Sequence, residues 1–338
     1  MNTKWEGMFK MQTTKIGNLQ VSAEGYGCMG LSHAYGAPVE HDTAVKMIRT
    51  AFDMGCTFFD TAEGSKGTFA DGSISYNEQL VGEALKEHRN EVVIATKFGV
   101  TPTRDGIKTD SRPETIRKSI EGSLKKIGTD HIDLYYQHRQ DANVPVEEVA
   151  GVMSRLMEEG KILHWGLSEV GEDVRANAVC PVTAIQNRYH MMHRDYEKLF
   201  PVLEEFGIGF VAFSPLENGL LSDKYTEKNV FTDKADYRST MPQFKAEAYE
   251  KNKALFEFLR EMSAAHNCTP AQLSLAWMMN KKPYIVPIPG TKNADRLDEN
   301  MKAADVVLTA EEVKLIDERL DDMTMSEYFG GSPIIKKN

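Results

Sequence analysis

Little in this chain points to cross-links, metal or membrane. Four of its 338 residues are cysteine (Cys28, Cys56, Cys180 and Cys268), with no CxxC spacing among them. That excludes a disulfide framework and speaks against a zinc cluster, leaving reduced thiols that pack as small hydrophobes. No apolar run approaches the roughly 20 residues that span a bilayer. Residues 1–19 alternate polar and basic side chains without the apolar segment of a signal peptide. The sequence therefore predicts a cytoplasmic protein with no membrane partner. Basic charge is scarce as well: 40 Lys and Arg stand against 50 Asp and Glu, a net charge of −10. Nucleic acid and anionic lipid are excluded as main partners, although a local basic pocket is compatible with that balance. No strand is followed by the GxGxxG turn of a dinucleotide crevice, which counts against an open doubly wound sheet.

What is present is alternation. Short β-branched or aromatic runs at 24–28, 57–60, 92–96, 133–137, 164–168, 183–186, 209–214 and 285–288 read as strands. Between them, 42–54, 77–88, 113–127, 146–159, 194–206 and 270–280 carry apolar residues at helical spacing. Eight strands alternating with helices predict an α/β fold of the (β/α)8 TIM-barrel type. Residues 1–338 read as one barrel domain. Its departures from simple alternation are a capping hairpin at 11–22 with Gly17-Asn18 at its turn, a long loop at 215–245 covering a ligand on the catalytic face, and a C-terminal helix and tail at 309–338.

Ionisable residues end three consecutive strands: Asp60, Lys97 and His138. In a barrel such ends converge at one mouth, so side chains far apart in sequence become neighbours. Each has an ordinary explanation by itself, as a cap, a solvated cation or a wall histidine. Together they point to a site.

Around these residues the chain resembles the aldo-keto reductases. The resemblance rests on Phe58-Phe59-Asp60-Thr61-Ala62-Glu63, Asn77-Glu78, Ala95-Thr96-Lys97-Phe98-Gly99 and Asp133-Leu134-Tyr135-Tyr136-Gln137-His138-Arg139. It continues in Gly166-Leu167-Ser168, Gln186-Asn187, Phe213-Ser214-Pro215-Leu216, Ile288-Pro289-Gly290-Thr291-Lys292 and Arg296-Leu297-Asp298-Glu299-Asn300. The resemblance implies NADPH-dependent reduction of aldehydes or ketones, with small-molecule carbonyl compounds as substrates. Asp60, Lys97 and His138 take the family's Asp, Lys and His roles. It further implies that Ser168 and Gln186 hold the nicotinamide carboxamide and Phe213 stacks on its ring. Ser214, Leu216 and Gly219 line the pyrophosphate path. Lys292 and Arg296, beside Gly290 and Thr291, meet the 2′-phosphate of NADP(H), and Glu299 and Asn300 meet the adenine.

The family's proton-donating tyrosine does not carry over. The loop reads Glu63-Gly64-Ser65-Lys66-Gly67. Counting forward from Asp60 puts Ser65 at the tyrosine position, and counting back from Gly67 puts Lys66 there. Lys66 and Tyr76 are accordingly the expected substitute donors, with Tyr35 a further candidate that lines the substrate pocket. The loop also leaves two rival readings: a catalytically impaired NADP(H)-binding or redox-sensing homologue, and a retained-cofactor enzyme that converts sugars.

Overall fold

The computed structural model describes residues 11–103, 105–171, 175–229 and 231–335. The ends of the 1–338 unit, position 230 of the long loop and the last three residues of the tail lie outside the described residues.

Eight parallel strands form one sheet, each paired with the next in chain order. They are β1 (Tyr26–Gly27), β2 (Phe58–Asp60), β3 (Val93–Phe98), β4 (Ile132–Gln137), β5 (Ile162–Ser168), β6 (Ala184–Arg188), β7 (Gly209–Phe213) and β8 (Ile285–Pro287). The sheet curls until its edges meet. Gly25 donates its N–H to the Pro287 carbonyl at 2.9 Å and Gly27 donates to Pro289 at 3.2 Å. The (β/α)8 barrel expected from the alternation is the fold observed.

Glycine makes that seam possible. A Cβ on Gly27 would stand 2.6 Å from the Ile288 carbonyl oxygen, and one on Gly290 would stand 2.6 Å from the Gly27 oxygen. Both obstacles are backbone atoms and cannot swing aside. Gly27→Ala is expected to cost about 1–3 kcal/mol of stability, the usual range for overpacking. Urea unfolding measures this, and an unchanged midpoint would mean that the seam is not close-packed.

The helices follow from local signals. Helix Pro113–Ile127 opens on proline at its first turn with Glu114 behind it, carries Lys125 and Lys126 in its last turn, and stops at Gly128, whose φ is 74°. It buries Ile116, Ile120 and Ile127 at helical spacing. The predicted helix at 194–206 is instead a 3-10 turn, Asp195–Leu199, followed by helix Phe200–Phe206. Pro201 explains the break, because it lacks an N–H and fits only the first turn of a new helix. The stretch 77–88 likewise ends early, at Leu85.

Strand alternation sorts side chains into two layers. Phe59, Ile94, Tyr135, Trp165 and Phe210 face outward and pack with the helices. Phe58, Val93, Ala95, Leu134, Tyr136, Ala184, Val211 and Val286 fill the barrel interior. The hairpin Thr13–Ile16 and Leu19–Ser22 closes the bottom, where Ile16 joins the interior cluster. Gly209 accommodates it, since a Cβ there would stand 2.4 Å from that of Ile16.

Candidate active site

Period-two alternation builds the site. Phe58 faces inward, so Asp60 does too. Val93 and Ala95 set Lys97 inward, and Leu134 and Tyr136 do the same for His138. The same count places Ser168 after Gly166, Arg188 after Ala184 and Gln186, and Phe213 after Val211. All lie at the C-terminal ends of the strands, around a cavity of about 810 Å³.

Asp60 and Lys97 are each 5% exposed and form an ion pair. Lys97 Nζ also donates to the Thr61 carbonyl at 2.8 Å. An ammonium has three N–H donors, so one remains for the mouth. Burial pushes the Lys97 pKa down against the opposing pull of Asp60. His138 is held well below the ordinary histidine range, chiefly by burial and further by Arg139 and Lys97, so its imidazole is neutral near pH 7. Its Nδ1 is buried with no hydrogen-bond partner, leaving Nε2 as the nitrogen available to the cavity.

Gln186 and Ser168 have their orientations fixed from behind. Gln186 Nε2 donates to Asp60 Oδ2 at 2.8 Å, which leaves the Gln186 carbonyl as a free acceptor. Ser168 Oγ accepts from Arg139 Nη1 at 3.2 Å, which leaves its hydroxyl hydrogen to donate. One acceptor beside one donor is the complement of a primary carboxamide.

The remaining predicted residues fall into the same cavity. Ser214, Leu216, Gly219, Gly290, Thr291, Lys292, Arg296, Glu299 and Asn300 line its extension toward β8. Arg296 Nη1 donates to Tyr225 Oη at 2.9 Å, and Lys292 Nζ donates to the Tyr35 carbonyl. Both cations precede or open helix Ala294–Met301, whose first N–H groups favour an anion. Tyr35 lines the cavity and donates to Asn218 Oδ1 at 2.8 Å. Burial pushes its phenol up to about 12.

The long loop is a series of 3-10 turns, with φ positive at Ser214, Glu217, Asn218 and Gly219. For the three non-glycine residues this backbone is costly and has to be over-determined by its surroundings. The buried Glu217 carboxylate does so, meeting His190 Nε2 at 2.5 Å and accepting from Gln243 Nε2.

Two expected donors are elsewhere. Lys66 and Tyr76 face each other across a small antiparallel hairpin, Lys66–Thr68 with Ile74–Tyr76, and neither lines the catalytic cavity. Lys66 is exposed. Tyr76 borders a separate groove, with Lys126 Nζ 6.0 Å from its ring centroid. The cause is again alternation. A Cβ on Gly67 would stand 1.9 Å from the Ser32 carbonyl oxygen, so Gly67 lies flat against that backbone. Ser65 is then turned into the mouth, where it is 5% exposed, and Lys66 is turned away.

Sequence reading missed other walls of the cavity. Phe329 and Pro333 of the C-terminal tail line it, and the tail pairs with the hairpin 100–109 through Ile107 N–H to Pro333 O and Ile335 N–H to Ile107 O, both 2.9 Å. No periodicity in the tail announces this. Arg188 was also missed, although counting by twos from Ala184 through Gln186 reaches it.

A parallel barrel with a buried Asp–Lys pair, a neutral histidine and an amide-complementary pair at its mouth defines an oxidoreductase-type site. The family model for the aldo/keto reductase family matches residues 25–321, and the chain belongs to that family. It is similar to a probable aldo-keto reductase 1 from Glycine max, with 39% identity over 331 residues, covering 95% of this chain and 93% of that protein. Among solved structures it resembles the glycerol dehydrogenase AKR11B4 from Gluconobacter oxydans, with a TM-score of 0.79 and 27% identity over 92% of this chain and 95% of that one. It also resembles an aldo/keto reductase from Klebsiella pneumoniae in complex with NADP and acetate, with a TM-score of 0.67 and 26% identity over 91% of this chain and 95% of that one. Membership supports carbonyl reduction as the general chemistry. Among the described residues no helix is long and apolar enough to cross a membrane.

Proposed function

We propose that the protein is an NADPH-dependent reductase of aldehydes or ketones. The observation that carries this reading is the buried Asp60–Lys97 pair, which faces one cavity together with His138, Ser168 and Gln186. The residues fit a nicotinamide dinucleotide: Ser168 and Gln186 would hold the carboxamide, Phe213 the ring, and Lys292 with Arg296 the 2′-phosphate. When bound, the cofactor supplies a hydride to the carbonyl carbon.

The protein's own share of the reaction concerns the carbonyl oxygen. The unshared N–H of Lys97 and the Nε2–H of neutral His138 both donate toward it and polarise the bond. With no phenol at position 65, Lys97 is the side chain that gives up a proton to the oxygen, and burial brings its pKa toward the working range of an acid. A neutral imidazole with so low a pKa orients the oxygen and does not protonate it.

NADPH consumption with a panel of aldehydes and ketones tests the reading, and no turnover with any of them would overturn it. The NADP(H) assignment has its own test. Arg296→Ala should weaken NADPH by about 1.5–3 kcal/mol, the range for hydrogen bonds to charged groups, and leave NADH nearly unaffected. Fluorescence titration measures both affinities, and equal losses would remove Arg296 from the phosphate.

A further inference from the structure

Arg188 ends β6 with its side chain in the barrel mouth, only 6% exposed. Its Nε and Nη1 have no hydrogen-bond partner. The nearest carboxylate is Glu217, whose Oε2 stands 3.7 Å from Nη1, too far to accept a hydrogen bond. Of that carboxylate, Oε1 accepts from Gln243 Nε2, while Oε2 lies 2.5 Å from His190 Nε2 without forming a hydrogen bond to it or to Arg188. Glu169 accepts at 2.9 Å from the backbone N–H of Arg188 rather than from its guanidinium.

A second guanidinium lies alongside. Arg139 donates to the His138 carbonyl at 2.6 Å and to Ser168, and it lines the same cavity. The two guanidinium carbons stand 5.1 Å (Arg188) and 5.8 Å (Arg139) from the centroid of Phe213. Burial lowers the Arg139 pKa; the Glu169 carboxylate pulls it the other way, and the nearby Arg188 charge lowers it further.

Buried guanidinium donors without acceptors are costly, and native structures rarely keep them unless something else supplies the acceptor. The carboxamide of a nicotinamide is already matched by the free acceptor of Gln186 and the free donor of Ser168. The acceptor that Arg188 lacks therefore belongs to the other occupant of the cavity. Two planar cations beside His138 suit a planar anion, because a carboxylate takes parallel N–H donors from one guanidinium fork. We infer that Arg188, with Arg139 beside it, forms an anion subsite that selects carbonyl substrates carrying a carboxylate. The inference rests on the reductase reading for its term "substrate", so its test does not depend on turnover.

The test measures binding to the full-length protein saturated with NADP⁺. Calorimetry compares 4-(hydroxymethyl)benzoate with 4-(hydroxymethyl)benzamide, of the same shape but neutral, and with 4-(hydroxymethyl)benzenephosphonate. In wild type the carboxylate should bind roughly 10- to 100-fold tighter than the amide, as expected for charge-assisted bonds in a buried site. In Arg188→Gln that ratio should collapse toward one. Arg188→Lys, which keeps the charge but loses the planar fork, should retain only part of it. Thermal melts of both variants establish that they are folded, and the lysine variant carries the test if the glutamine variant is not.

Equal binding of carboxylate and amide by wild type would overturn the subsite. So would an unchanged ratio in Arg188→Gln accompanied by weaker NADP⁺ binding, which would assign the arginine to the cofactor. Tighter binding of the phosphonate would overturn the choice of carboxylate. NADPH consumption with 4-formylbenzoate is read separately: binding selectivity without turnover would leave the subsite standing and overturn the reductase reading.

Discussion

Lys97→Met is expected to lower kcat/KM for carbonyl reduction by about 10²–10⁴-fold, the usual worth of a positioned acid, while the protein still binds NADPH. The side chain is buried against Asp60 and Thr61, with one donor left for the mouth. Methionine keeps much of its length and apolar packing but has no proton to give. Lys97→Arg separates charge from acidity, since guanidinium holds its proton at every accessible pH. It should restore binding geometry and little rate. The pH profile gives the sign. The acid acts only when protonated, so wild-type kcat/KM should fall as pH rises through the Lys97 pKa, which lies below the ordinary lysine value. Steady-state kinetics across pH measures this, and full activity in Lys97→Met would remove the lysine from the chemistry.

Ser65→Tyr should act in the opposite direction, raising turnover on simple aldehydes by about 10²-fold, at the lower end of what general acid catalysis contributes. When Lys97 itself releases the proton, a neutral amine is left beside the Asp60 carboxylate, and the attraction within that buried pair is lost as the reaction proceeds. A phenol at position 65 would release its proton with the ammonium still charged. The neighbouring cation would also lower the phenol pKa. Ser65 already faces the cavity, so the substitution needs no change of strand register. Rates measured with one aldehyde for both forms decide the point, and an unchanged rate would show that proton donation does not limit the wild-type reaction.

The barrel was legible because its signal is periodic. All eight strands could be placed from their apolar runs, and the meeting of Asp60, Lys97 and His138 at one mouth followed from their places at the ends of three consecutive strands. What sequence could not supply was direction outside that periodicity. Between Asp60 and Asn77 no apolar alternation says which side chains turn inward. There the contact of Gly67 with the Ser32 carbonyl decides that Ser65 enters the mouth and Lys66 leaves it. That contact joins residues far apart in the chain. The C-terminal tail reaches the cavity by pairing with a hairpin more than two hundred residues earlier, a partnership fixed by tertiary geometry. Arg188 differs, because its place on β6 was readable. Its lack of an acceptor could be seen only once the neighbouring carboxylates had been located.

The seam between β1 and β8 joins the first barrel strand to the last. It is held by two backbone hydrogen bonds, by the Tyr26 hydroxyl donating to the Thr291 carbonyl at 2.6 Å and by a pair of glycines, and the chain that crosses it continues directly into Gly290, Thr291 and Lys292. The join that completes the ring therefore sits next to the groups expected to grip the cofactor phosphate. Any ligand held there in the closed form but not in the opened one stabilises closure by its own binding free energy. Cofactor concentration would then regulate how often the ring opens, and so how exposed its least-fastened edge is to proteases and to pairing with other strands. In a cell, the ratio of loaded to empty protein would help set the lifetime of the fold as well as the rate of its chemistry.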